Sequence, residues 1–195
     1  MSATHAHPIL HHVNLKTPRL QEMVDWYAAV AGCEVIHLYE GGAWLTNDGA
    51  NHRLALLASP LIEDDPDRFH HTGMHHLAFE YESVDALLDN YVRLKDELDA
   101  VPHMCLDHGM TISFYYVDPD GNSVEMQADW FGDWSKSKQF MREAPEFEAD
   151  PIGTFLDPDK VVAARREGAS LDELHQRGYG GEFVPEAQPD IRVAL

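Results

Sequence analysis

The chain has 195 residues, with 14 Lys and Arg against 34 Asp and Glu, a formal net charge of −20. A surface this acidic repels polyanions, which excludes nucleic acid and anionic membranes as expected partners. The length suits one well-buried domain with an appendage, and an apolar share of 44% with 25% charged residues is ordinary for a globular fold.

Met1 to Pro8 lacks the basic segment and apolar run of a signal peptide. No apolar stretch approaches the ~20 residues that span a bilayer, so a cytoplasmic protein is expected. Cys33 and Cys105 are too few for a disulfide framework and too far apart for a CxxC zinc pattern, and both read as core residues.

In chain order, Ile9 to Lys16 alternates, with His12, Asn14 and Lys16 on one side and Val13 and Leu15 on the other, the period of a half-buried strand. Thr17-Pro18 predicts a helix start, Leu20, Met23, Val24, Tyr27 and Val30 form its apolar stripe, and Gly32 ends it. Strands are predicted over Glu34 to Glu40, Ala43 to Thr46 and Arg53 to Ala58, with turns at Gly41-Gly42 and Asn47-Asp48-Gly49. Ser59 to Gly73 has prolines, acids and no periodicity, and reads as a linker. The pattern then restarts: strand Met74 to Tyr81, a helix capped by Ser83, and strands near Val101 to Cys105, Thr111 to Val117 and Ser123 to Asp129.

His11-His12-Val13-Asn14-Leu15 and His75-His76-Leu77-Ala78-Phe79 hold the same place in the two halves, which marks an internal repeat. The expected fold is α+β: two βαβββ modules, about 9–58 and 74–130, curled into one open β-barrel cup. Residues 1–130 form that domain and 131–195 a C-terminal extension. In the extension Asp157-Pro158 opens one short helix ending at Gly168, Ser170 to Glu173 is a capping box for a second ending at Gly178, and Gly180 onward reads as loosely ordered. The extension is expected to wrap the domain, lid its cup or reach a second subunit.

Strand alternation also sorts the polar side chains. On three strands one phase selects His12 with Asn14, His76 with Ala78, and Glu125 with Gln127, while Val13, Leu15, Leu77, Phe79, Val124 and Met126 take the buried side. Two imidazoles and a carboxylate with open coordination positions suit non-haem Fe(II), and suit Mn(II) or Zn(II) less decisively. A lone strand histidine is more often a hydrogen-bonded structural residue than a ligand. By the same parity His11 and His75 fall on the other face and read as structural or surface residues, and His5, His7, His37, His70, His71 and His175 belong to no constellation.

These motifs resemble the vicinal oxygen chelate superfamily, which includes glyoxalases, bleomycin-resistance proteins and dioxygenases, over about residues 9 to 130. The resemblance is carried by His12-Val13-Asn14-Leu15, Trp26-Tyr27, His76-Leu77-Ala78-Phe79 and Asp118-Pro119-Asp120-Gly121 leading to Glu125. His108, Phe114-Tyr115, Asp118-Pro119, Gly121 and Glu125 are moreover similar in order to the signature of type I extradiol ring-cleaving dioxygenases of the single-domain class, with Leu106 departing from the residue types usual there.

The resemblance implies Fe(II), with Mn(II) as the alternative, held by His12, His76 and Glu125, and cleavage of a catechol with O2 to a ring-opened semialdehyde or acid. It implies acid-base or hydrogen-bonding roles for His52, His108 and Tyr115, and a homo-oligomer such as a dimer. Two rivals stand beside it. One is a non-oxygenase metalloenzyme of the same superfamily, an isomerase, epimerase or thiol transferase, which has no need of His108 and Tyr115. The other is a non-catalytic protein that sequesters a ligand, a class that often lacks the metal triad.

Overall fold

The computed structural model describes residues 7–192, so His5 lies outside the described residues. The chain divides into two compact units, Met1–Asp65 and Pro66–Leu195. Each contains a βαβββ module, and together they make an α+β protein with one open sheet per unit.

The first unit runs β1 (Val13–Thr17), α1 (Leu20–Val30), β2 (Glu34–Tyr39), β3 (Gly42–Thr46) and β4 (Leu54–Ala58). Its sheet order is β1-β4-β3-β2, with β1 parallel to β4 and the other pairs antiparallel. Register puts Leu15, Leu56 and Ala43 in one row and Leu54 and Leu45 in the next, so all five share a face. All are buried, as are Met23, Val24, Tyr27 and Val30 of the α1 stripe. The helix starts two residues later than Thr17-Pro18 suggested, because Thr17 is still paired with Ala58 as the last residue of β1. The Thr17 hydroxyl instead accepts the Arg19 backbone N–H at 2.9 Å. Gly32, at φ +64°, ends α1 as expected.

The second unit opens with a 3-10 turn at Arg68–His70, inside the segment read as linker, and continues with β5 (His76–Tyr81), α2 (Val84–Leu98), β6 (Met104–Asp107), β7 (Thr111–Val117) and β8 (Ser123–Asp129). Ser83 caps α2, its hydroxyl accepting the Ala86 N–H at 3.2 Å. The β7–β8 turn is closed by Gly121 N–H donating to the Asp118 carbonyl at 2.8 Å, with Gly121 at φ +79° and the Asp118 carboxylate accepting the Asn122 N–H. That turn fixes the register Val117↔Ser123 through Tyr115↔Glu125.

The segment after Asp129 is more structured than its sequence suggested. It holds α3 (Trp134–Glu143), α4 (Pro145–Ala149), a two-residue strand β9 (Thr154–Phe155), α5 (Pro158–Arg166) and α6 (Leu171–Tyr179). Helix α3 buries only Ser137, so it shows no apolar stripe to read, although Asp133 caps it. The capping box at Ser170 and Glu173 forms, and Gly178 lies inside α6 rather than ending it. Strand β9 pairs with β6, completing a sheet in the order β5-β8-β7-β6-β9. Beyond Gly180 the chain is tied down: Phe183 is buried, its carbonyl accepts the Asp157 N–H, and the Asp190 carbonyl accepts from the His103 ring. Among the described residues no helix is long and apolar enough to cross a membrane.

Candidate metal and acid-base site

The second sheet separates its two faces by strand alternation. Val124, Met126 and Ala128 of β8 and Ile112, Phe114 and Tyr116 of β7 are buried on one face. The opposite phase carries His76, Ser113, Tyr115, Glu125 and Gln127, brought side by side by the pairs Ala78↔Glu125 and Tyr115↔Glu125. On this polar face His76 Nε2 lies 3.0 Å from Glu125 Oε2. The Tyr115 hydroxyl is 3.0 Å from Glu125 Oε1 and 2.9 Å from His108 Nε2, and His108 Nδ1 is 2.6 Å from the Ile152 carbonyl oxygen.

Electrostatics follows from burial and these bonds. Burial pushes the Glu125 carboxyl up, but hydrogen bonds from His76, Ser113 and Tyr115 outweigh it and leave the group below the usual glutamate range. Burial, then the charge and hydrogen bond of Glu125, push the Tyr115 phenol well above its ordinary value, so Tyr115 is a neutral donor. Glu125 is therefore an anionic acceptor only 5% exposed.

His75 does not point away from His76. Its Nδ1 lies 2.7 Å from His76 Nδ1, because β5 begins at His76 and strand parity does not extend to the residue before it. The first unit repeats the arrangement. His11 Nδ1 lies 3.1 Å from His12 Nδ1, just before β1 begins at Val13. The His52 ring stands 4.5 Å from that of His12 and 5.1 Å from that of His11. One nitrogen from each of these three rings lies within 4.8 Å of the others. Burial, then the charges of His12 and His11, lower the His52 pKa.

The donor sets suit a divalent transition metal. A separation of 3.0 Å between His76 Nε2 and Glu125 Oε2 is about what two neighbouring ligands with bonds of ~2.0–2.2 Å produce. Second partners on the ligating rings are what such sites use to fix a tautomer, and His75 supplies one to His76.

The same face extends past Glu125 into a shallow cleft of about 240 Å³, floored by Glu80, Thr111 and Gln127 and walled by Met110, Trp134 and Met141. Trp134 donates its indole N–H to the Glu80 carboxylate at 2.8 Å.

Residues 9–126 match the profile of the Glyoxalase/Bleomycin resistance protein/Dioxygenase superfamily. The chain belongs to this superfamily. Biphenyl-2,3-diol 1,2-dioxygenase 2 of Rhodococcus globerulus is 35% identical over 195 residues, covering 100% of this chain and 99% of the relative. Biphenyl-2,3-diol 1,2-dioxygenase 3 of the same organism is 35% identical over 175 residues, 88% of this chain and 90% of the relative. Among solved structures, the glyoxylase/bleomycin resistance protein/dioxygenase domain from Frankia sp. EAN1pec aligns with a TM-score of 0.51 at 16% identity, over 64% of this chain and 93% of that one, a likeness of fold.

Within the second unit His76, His108, Tyr115 and Glu125 form one hydrogen-bonded array, and within the first unit His12 and His52 adjoin. Sequence reasoning missed His11 and His75 as partners of these rings, and it missed the pair of His175 with Asp107. His175 Nδ1 lies 3.0 Å from Asp107 Oδ2, and its ring packs 5.0 Å from that of Trp130. The adjacent letters in each His-His pair were the available signal for the first two. No local pattern links Asp107 to a helix in the tail.

Proposed function

We propose that the protein is an extradiol dioxygenase that cleaves a catechol-type aromatic ring with O2, using Fe(II) held by His12, His76 and Glu125, with Mn(II) as the alternative ion. The observation that carries this reading is the continuous array from Glu125 through Tyr115 to His108 beside His76. An isomerase or a sequestering protein has no use for a buried phenol and a second imidazole there. Full-length similarity to proteins named biphenyl-2,3-diol dioxygenases supports it, as does the match of His108, Tyr115 and Glu125 to the ring-cleavage signature.

A bound divalent metal supplies Lewis acidity, which lowers the pKa of a catechol hydroxyl and holds two reactants together. The residues do the rest. Glu125, held anionic by three donors, and His76, with its far nitrogen engaged by His75, present fixed ligand atoms. Tyr115 donates a hydrogen bond toward the substrate oxygen from a phenol that stays neutral, so it orients without competing as a base. In this reading His108 Nε2, next to that phenol, would hold and deliver a proton as the ring opens. In the same reading His52, in the first unit beside His12, would accept a catechol proton. The cleft along Thr111, Gln127, Trp134 and Met141 would receive the substituent beyond the diol ring.

The test is to load the protein with Fe(II) under anaerobic conditions, then add mono- and bicyclic catechols with O2 and follow oxygen uptake and the ring-opened chromophore. Uptake with chromophore formation is expected. Neither signal with any catechol would overturn the assignment.

A further inference from the structure

We propose that the backbone carbonyl of Ile152, in the tail, is a positioning group for His108 that fixes its tautomer, and that Gly153 and the Asp107–His175 pair hold it in place. This rests on the reading of His108 as the proton donor of ring opening. A carbonyl oxygen only accepts, so at 2.6 Å it requires the proton of His108 to sit on Nδ1. The ring's other nitrogen, Nε2, is then the one left to exchange a proton: it faces the Tyr115 hydroxyl at 2.9 Å, and because that hydroxyl gives its own proton to Glu125 Oε1, Nε2 donates to the Tyr115 oxygen. If Nδ1 were unprotonated, giving up the Nε2 proton would leave an imidazolate, too basic to form near neutral pH.

The tail reaches this point by close packing that tolerates only glycine. A Cβ on Gly153 would stand 2.0 Å from the Asp107 carbonyl oxygen and 2.9 Å from His108 Cα, and Gly153 has φ +87°. Strand β9 begins one residue later, and its pairs Asp107↔Thr154 and Leu106↔Phe155 set where the Ile152 carbonyl points. From the other side Asp107, fully buried, accepts the Gly109 N–H on Oδ1 at 2.8 Å and faces His175 Nδ1 with Oδ2 at 3.0 Å. Its carboxylate thus bridges the His108 turn and α6. A buried carboxylate without partners is costly, so the pair holds the two elements together. Ile152 and His175 touch no reacting atom in this scheme and act through His108.

The experiment reads the tautomer and the kinetics separately. Long-range 15N–1H correlation spectra of the full-length protein, free of paramagnetic metal, should show His108 protonated at Nδ1. An unprotonated Nδ1 in the wild type overturns the proposal, and this measurement needs no variant and no turnover. Gly153→Ala should lose the Nδ1 preference and lower kcat by about 10- to 100-fold with KM little changed, within the range expected for losing a general acid. His175→Ala should do the same more weakly, and His175→Asn, whose amide nitrogen stands where Nδ1 stands, should restore much of it. A folded Gly153→Ala with wild-type tautomer and kcat overturns the proposal. If Gly153→Ala does not fold, the wild-type spectrum and the His175 pair of variants decide. A wild type that opens no ring yet keeps Nδ1–H would instead sink the dioxygenase reading and leave the positioning contact standing.

Discussion

Glu125 shows how much a single position can carry. Its carboxylate takes hydrogen bonds from Tyr115, Ser113 and His76 in a site almost closed to water. Glu125→Gln keeps the shape but removes the charge, and divalent metal uptake measured by elemental analysis should fall by at least 10-fold while the fold survives. Tyr115→Phe removes the hydroxyl between Glu125 and His108. It should cost about 1–3 kcal/mol in denaturant unfolding, as for other buried donors removed from a partner, and lower kcat. The two thiols are the opposite case. Burial pushes Cys33 up to about 11 and raises Cys105 well above its ordinary value, so both stay thiols at pH 8. Neither should react with an alkylating reagent at pH 8 until the protein is unfolded, and rapid labelling of the native protein would contradict that burial. Strand parity picked out His76 and Glu125 because both belong to regular strands, whereas Tyr115 was legible only through the resemblance to the ring-cleavage signature. Parity put His11 and His75 on the face opposite their neighbours, yet each meets its neighbour's ring, because His11 stands two residues and His75 one residue before its strand begins, where alternation no longer dictates direction.

At the scale of elements, both modules were readable from period and punctuation. Strands β7 and β8 fall where predicted, because turn residues bracket them and alternation fills them. The tail was harder. Helix α5 is held on α2 by contacts that join distant sequence positions: the Arg165 guanidinium grips the Asp85 carboxylate at 2.7 and 2.9 Å, and Lys95 and Tyr91 both donate to Asp159. No local signal marks such pairings. The hydrogen bond from Arg165 holds the Asp85 carboxyl below the usual range. A depressed carboxyl stabilises the fold above its unfolded pKa of about 3.9, and the gain is lost as pH falls through the folded value. Both groups are partly exposed, so Asp85→Asn should cost no more than ~1 kcal/mol at pH 7 and progressively less as pH falls below the unfolded value. A cost that did not shrink with falling pH would place the loss in packing.

For the whole molecule, the surplus of acids matters more than any pair. With 34 acidic and 14 basic residues the folded chain repels itself, and at low salt that repulsion reaches across ~30 Å. Raising NaCl from about 0.01 M to 0.15 M, which shortens the screening length to ~8 Å, should raise Tm at pH 7. A fall would mean that attractive pairs such as Asp85–Arg165 dominate instead. Deleting residues 150–195 would not test a lid role of the tail alone, since it would strip β9 from β6 and expose Asp107 and Cys105.

The pairing of β9 with β6 also sets a schedule for biosynthesis. The first unit is complete once its last residues leave the ribosome, and it can settle while the rest is being made. The second unit cannot, because β6 keeps a bare edge until β9 emerges and Asp107 lacks its His175 partner until α6 has emerged. At ~5–20 residues per second that wait is on the order of ten seconds. For that interval the nascent protein carries an open strand edge beside Cys105 and Leu106, and chaperones would find their binding surface there.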